Sequence, residues 1–162
     1  MALTPSTMLP LQHMAPDFNL LDVMHQENIS LTELKGTKGT LVVFMCNHCP
    51  FVIHLLEHFN RLADELKPQG IATIAISSND IENYPQDGPQ QMVALCKEYV
   101  ISFPYLYDPT QEVAKAYDAA CTPDFYLFDD ESKLVYRGRY DASRPQSDTP
   151  ITGEDLKNAA LN

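Results

Sequence analysis

Residues 41–50 read LVVFMCNHCP. Four apolar residues and a methionine run into Cys46-Asn47-His48-Cys49, and Pro50 opens a segment of helical periodicity. A continuous apolar run of this length suits a strand buried on both faces. The stretch therefore reads as a buried strand, a turn carrying two cysteines, and a helix that holds the second cysteine in its first turn. A thiol at a helix start meets unpaired amide N–H groups and the positive end of the helix dipole. Both favour the thiolate, which is the reactive form. Cys46 is thus the candidate nucleophile. Cys49, one turn further in, is the candidate resolving thiol that displaces a mixed disulfide. His48 between them can lower the thiol pKa of Cys46 further when protonated.

The rest of the chain is read around that stretch. Val52, Leu55, Leu56, Phe59, Leu62, Ala63 and Leu66 recur at 3- and 4-residue spacing and predict a helix from Pro50 to Lys67, stopped by Pro68 and Gly70. Asp17 to Leu31 reads as a hairpin with its turn near His25–Asn28, followed by a helical turn over Thr32–Lys35. Thr40–Met45 and Ile71–Ser77 are buried strands, and Phe103–Tyr107 is a short one. Helices are expected over Pro89–Val100 and Thr110–Tyr117. Asp124–Phe128 and Leu134–Arg139 form a closing hairpin, and Thr152 starts a last helix. Residues 1–16 are an irregular lead-in to a single domain over residues 1–162. Strands alternating with helices imply an α/β fold, its sheet covered on both faces, with antiparallel strands added at the edge.

Composition narrows the partners. With 22 acidic and 11 basic residues the net charge is −11, which argues against nucleic acid and anionic membrane. The first sixteen residues lack a cationic start and a continuous apolar core, and no apolar run approaches a membrane span, so a cytoplasmic protein is expected. Four cysteines, Cys46, Cys49, Cys96 and Cys121, are too few for a disulfide-stapled scaffold, and a close pair points to catalysis or metal. Cys96 falls on the apolar face of its helix and reads as packing. Tyr84, Tyr105, Tyr107 and Phe125 read as core rather than as an aromatic platform. Asp124 is open between accepting a substrate amide and capping its strand.

The strand–CxxC–helix unit, with APDFNLLD, ACTPDFYLFD and LVYRGRYDASRP, resembles the thioredoxin superfamily. The wording is closest to the redoxin branch grouped with alkyl hydroperoxide reductase and thiol-specific antioxidant proteins. The resemblance covers roughly residues 15–160. It implies a thioredoxin-like fold, a central mixed sheet flanked by helices, with an N-terminal β-hairpin extension. It also implies thiol–disulfide exchange by Cys46 and Cys49, with no metal or organic cofactor and with electrons from an external thiol reductant. Pro123 would be the cis-proline facing the disulfide, and Thr122 and Asn47 would contact a protein or small-molecule substrate. Cys121 would lie beside them, either as a third thiol or as a small buried residue. The family's tail runs past Asn162, which implies a last helix cut short.

Two departures stand out. Thioredoxins place a Trp before the first cysteine and a buried acid on the preceding strand. Here Met45 and Thr40 occupy those places, and neither Glu57 nor His54 is an obvious replacement as proton acceptor for Cys49. Two other chemistries fit the residues less well. A peroxiredoxin-like thiol peroxidase wants a hydroxyl residue three before its cysteine, where this chain has Val43, and an arginine, for which Arg137 and Arg139 read as surface residues. A zinc module could draw on Cys46, Cys49, His54 and His58, but the pairs are too close on one helix to close around an ion.

Overall fold

The structure is a computed structural model that describes residues 14–45, 50–78, 88–117 and 124–138. Among these residues, seven strands form one sheet in the order β2-β1-β5-β4-β3-β6-β7. They are β1 (Asn19–Asp22), β2 (Glu27–Ser30), β3 (Gly39–Phe44), β4 (Ile71–Ser77), β5 (Tyr105–Tyr107), β6 (Asp124–Asp129) and β7 (Leu134–Gly138). The helices are α1 (Leu31–Leu34), α2 (Pro50–Leu66), α3 (Pro89–Tyr99) and α4 (Glu112–Ala116). β3, β4 and β5 are parallel. β6 and β7 add antiparallel strands beside β3, and the β1–β2 hairpin adds antiparallel strands beside β5.

Alternation along β3 sorts the core into two layers. Leu41 and Val43 face one cluster, which holds Val52, Leu55, Leu56, Phe59 and Leu62 of α2 and Met92, Leu95 and Cys96 of α3. Val42 and Phe44 face the other, with Ile74, Ile76, Leu106, Tyr126 and Phe128, Leu31 of α1, and Tyr117 just after α4. Among the described residues, α2 and α3 cover one sheet face and α1 and α4 the other. All six residues of β3 are buried, as expected of a central strand.

Several boundaries differ from the sequence reading for local reasons. The first hairpin turns at Val23–Gln26, not His25–Asn28. Asp22 holds the turn: its carboxylate accepts from the Met24 N–H at 3.0 Å and lies 2.8 Å from the His25 ring. α1 starts at Leu31 rather than Thr32 because Ser30 caps it, accepting the Glu33 N–H while its hydroxyl donates to the Glu33 carboxylate. α2 ends at Leu66, and Lys67–Gln69 continues as a tighter 3-10 turn closed by Gly70 at φ 83°. α3 stops at Tyr99, with Val100 left-handed at its end. Asn60 of α2 ties that end down, donating to the Tyr99 and Val100 carbonyls at 3.0 Å each. The last expected helix, the residue 1–13 part of the lead-in and Tyr84 lie outside the described residues.

Candidate active site

In an open α/β sheet, ligands bind at the carboxyl ends of the parallel strands. Register places those ends level with one another: Phe44 pairs with Ile76, and Ile76 with Leu106. β6 runs the other way, so its first residue lies at the same edge, with Asp124 opposite Phe44. Met45 extends β3 by donating its N–H to the Ile76 carbonyl at 3.0 Å. Cys46 follows Met45 in the chain, and Pro123 precedes Asp124. The two halves of the motif, 75 residues apart in sequence, thus leave from neighbouring strands. Cys46, Asn47, His48, Cys49, Cys121, Thr122 and Pro123 themselves lie outside the described residues.

The described rim of this edge carries a buried ion pair. Arg137 of β7 donates from Nη2 to Asp124 Oδ2 at 2.7 Å and from Nε to Oδ1 at 3.4 Å. The Arg137 side chain is fully buried, and Asp124's is 5% exposed. The Tyr126 hydroxyl donates to Asp124 Oδ2 at 3.1 Å, and the guanidinium lies 4.7 Å over the Tyr126 ring. Tyr126 in turn meets Phe44 edge-on at 5.7 Å. The cluster therefore rests on the last residue of β3.

This corrects the reading of Arg137 as a surface residue. Strict alternation from buried Leu134 would turn Arg137 to the opposite face. Instead Phe128 pairs with Leu134 and Leu127 with Tyr136, so Val135 is an extra, exposed residue. This bulge returns Arg137 to the face of Tyr126 and Asp124, a re-aiming typical of bulges near active sites. No local signal in the sequence marks it, because the burial depends on the two-against-one pairing with Leu127 and Phe128.

The other candidates fall as follows. Thr40 is buried at the far end of β3, and its hydroxyl accepts the Gly36 N–H at 3.1 Å. Glu57 is exposed and 3.8 Å from Arg61. His54 and His58 are half-buried on α2. Tyr105 and Phe125 are core residues, as expected. Cys96 is packed between α3 and the sheet. Burial pushes its thiol up to about 11, and the Asp22 carboxylate adds to the shift. It is a packed thiol, not a nucleophile.

A model of the AhpC/TSA family matches residues 11–137. The chain belongs to the AhpC/TSA family. Among its relatives, the thiol-disulfide oxidoreductase ResA of Halalkalibacterium halodurans is 30% identical over 116 residues, 72% of this chain and 61% of that protein. The chain thus spans less than two thirds of that relative. An uncharacterized conserved protein from Geobacillus kaustophilus superposes with a TM-score of 0.92 at 50% identity, over 94% of this chain and 80% of that one. The thioredoxin domain of a thiol-disulfide oxidoreductase from Bacteroides vulgatus superposes at 0.67 with 19% identity, over 80% of this chain and 88% of that one. The last likeness bears on fold, and the fold is thioredoxin-like. Among the described residues, no helix is long and apolar enough to cross a membrane.

Proposed function

We propose that this protein is a thiol–disulfide oxidoreductase in which Cys46 attacks and Cys49 resolves. The observation that carries the reading is the pairing of Phe44 with Asp124, two residues before Cys46 and one after Pro123. The name of the ResA relative supports it. The Cys46 thiolate attacks one sulfur of a substrate disulfide, forming a mixed disulfide and expelling the other sulfur as a thiolate. Cys49 then attacks Cys46, releases the second substrate thiol and leaves a Cys46–Cys49 disulfide. Two electrons have passed to the substrate, and an external thiol restores the pair. His48 favours the Cys46 thiolate. By the family resemblance, Asn47, Thr122 and Pro123 would contact an extended substrate segment. Peroxide reduction is the weaker reading. Val43 offers no hydroxyl and is buried, and Arg137 is engaged by Asp124.

Reduction of insulin disulfides by a dithiol-recycled enzyme tests this. Cys46→Ser is expected to fall to background. Cys49→Ser is expected to accumulate a mixed disulfide, visible on a non-reducing gel. Insulin reduction retained in Cys46→Ser, or peroxide consumed faster than insulin is reduced, would overturn the assignment.

A further inference from the structure

We propose that the buried Asp124–Arg137 pair is a register lock, selecting one of two pairings open to strand β7. This role is independent of the reaction assigned above and involves described residues only. The turn that joins β6 to β7 is closely tied. Asp129 donates its N–H to the Lys133 carbonyl at 2.9 Å, and its Oδ1 accepts the Glu131 and Lys133 N–H groups at 2.9 Å each. Ser132 takes the left-handed conformation at φ 62°. The ladder leaves this turn with Phe128 opposite Leu134. Continued regularly, it would set Leu127 opposite Val135 and Tyr126 opposite Tyr136. The observed ladder instead sets Leu127 opposite Tyr136 and Tyr126 opposite Arg137.

The two pairings differ by one residue, about 3.4 Å along the strand. Side chains alternate between faces, so a slip of one residue exchanges every side chain beyond the bulge. In the regular pairing Tyr136 would join Tyr126 and Phe44, and Arg137 would turn to the α2–α3 side beside Phe125. Asp124 would stand opposite Gly138, which has no side chain to offer it.

Apolar burial chooses weakly between them. Leu134 keeps its place opposite Phe128 in both. Tyr136, which packs against the α2–α3 cluster, would meet an aromatic cluster on the other face as well. The regular pairing also avoids the unpaired residue that a bulge introduces. Charge decides the matter. In the observed pairing the Asp124 carboxylate has the Arg137 guanidinium at 2.7 Å and the Tyr126 hydroxyl at 3.1 Å. In the regular one Asp124 would keep a buried charge without its cation, and Arg137 would lie on an apolar face without its carboxylate. Both are strongly disfavoured. A buried ion pair adds little net stability over apolar residues of similar size, yet it can fix one arrangement among several.

The test is NMR on the full chain, reading cross-strand nuclear Overhauser contacts from the Tyr126 main chain to residues 136 and 137. Wild type should show the contact to residue 137. Asp124→Leu combined with Arg137→Met replaces the pair by apolar residues of similar size. That chain should stay folded and gain the contact from Tyr126 to Tyr136, beside the wild-type contact or in its place. A folded double variant that keeps the wild-type contacts alone overturns the proposal, because the register then survives without the charges. Deletion of Val135 is the second arm. With the extra residue gone, the regular ladder itself sets Arg137 opposite Tyr126, so turn and ion pair no longer conflict. The contact from Tyr126 to Arg137 should persist, and the urea midpoint should not fall. Loss of that contact, or a lowered midpoint, overturns the proposal, since the bulge would then serve something other than bringing Arg137 to Asp124. If the double variant does not fold, the Val135 deletion decides alone.

Discussion

Tyr117 offers a test of the sheet's aromatic face. Its side chain is fully buried, and its ring stands 5.4 Å from Phe44, 5.6 Å from Tyr126 and 5.9 Å from Phe128. Its hydroxyl donates to the Pro16 carbonyl at 2.7 Å. Tyr117→Phe keeps the ring and removes that bond, at a cost of about 1 kcal/mol, or roughly 3 °C in Tm for a chain of this size. The pH dependence is more diagnostic. Burial pushes the phenol well above its ordinary value of 10.0, with the Asp17 charge adding to it. Below pH 10 both folded and unfolded states keep the proton, so this group gives no pH dependence. Above pH 10 the unfolded chain ionises first and binds fewer protons. Wild-type stability then falls by up to about 1.4 kcal/mol per pH unit. Tyr117→Phe lacks that component, while all other groups are shared. Its deficit of about 1 kcal/mol at pH 7 should therefore close by about pH 11. Urea unfolding followed by circular dichroism at pH 7, 9, 10 and 11 reads the difference directly. A deficit that stays constant to pH 11 would refute the burial argument, and no deficit at pH 7 would refute the hydrogen bond.

Two further outcomes follow from local geometry. Native Cys96 should resist iodoacetamide at pH 8, since burial holds its thiol up at about 11, and should label fully once urea is added; labelling of the folded protein at the rate of a free thiol would contradict its packing. Val100 is 78% exposed and left-handed at φ 52°, a conformation that opposes a β-branched side chain, so Val100→Gly should gain about 1 kcal/mol in urea unfolding; a loss of stability would show that the left-handed end is not strained.

The strand β3 and the helix α2 were legible because their signals are local: a continuous apolar run and a 3.6-residue period. The parallel core followed from strands alternating with helices. Small offsets arose where a side chain competes with the main chain, as when Ser30 caps α1 and Asp22 tightens the first turn. Register was not legible, because nothing in the chain says that Phe44 faces Asp124 across 80 positions. The bulge at Val135 was invisible for the same reason, and with it the burial of Arg137. A period-two reading of LVYRG places that arginine with exposed Val135. Only the two-against-one pairing with Leu127 and Phe128 places it over Tyr126.

The pattern of buried carboxylates bears on where this fold keeps its ionisable groups. On β3, Thr40 stands where thioredoxins place a buried acid, and its hydroxyl is committed to the Gly36 amide. Asp22 and Asp108 accept main-chain N–H groups, so a neutral acceptor such as asparagine could hold the same turn or helix start. Asp124 differs because its counterpart, Arg137, is itself fully buried, a charge that an amide would leave unbalanced. Replacing such a pair by apolar residues of similar size is often neutral or stabilising, so stability alone does not account for it. Its position does: it lies at the first residue of β6, opposite the last residue of β3, where a bulge in β7 was needed to bring the arginine in. An irregularity in the sheet thus sets a buried charge pair beside the last residue of β3, on the face that carries Tyr126 and Phe44.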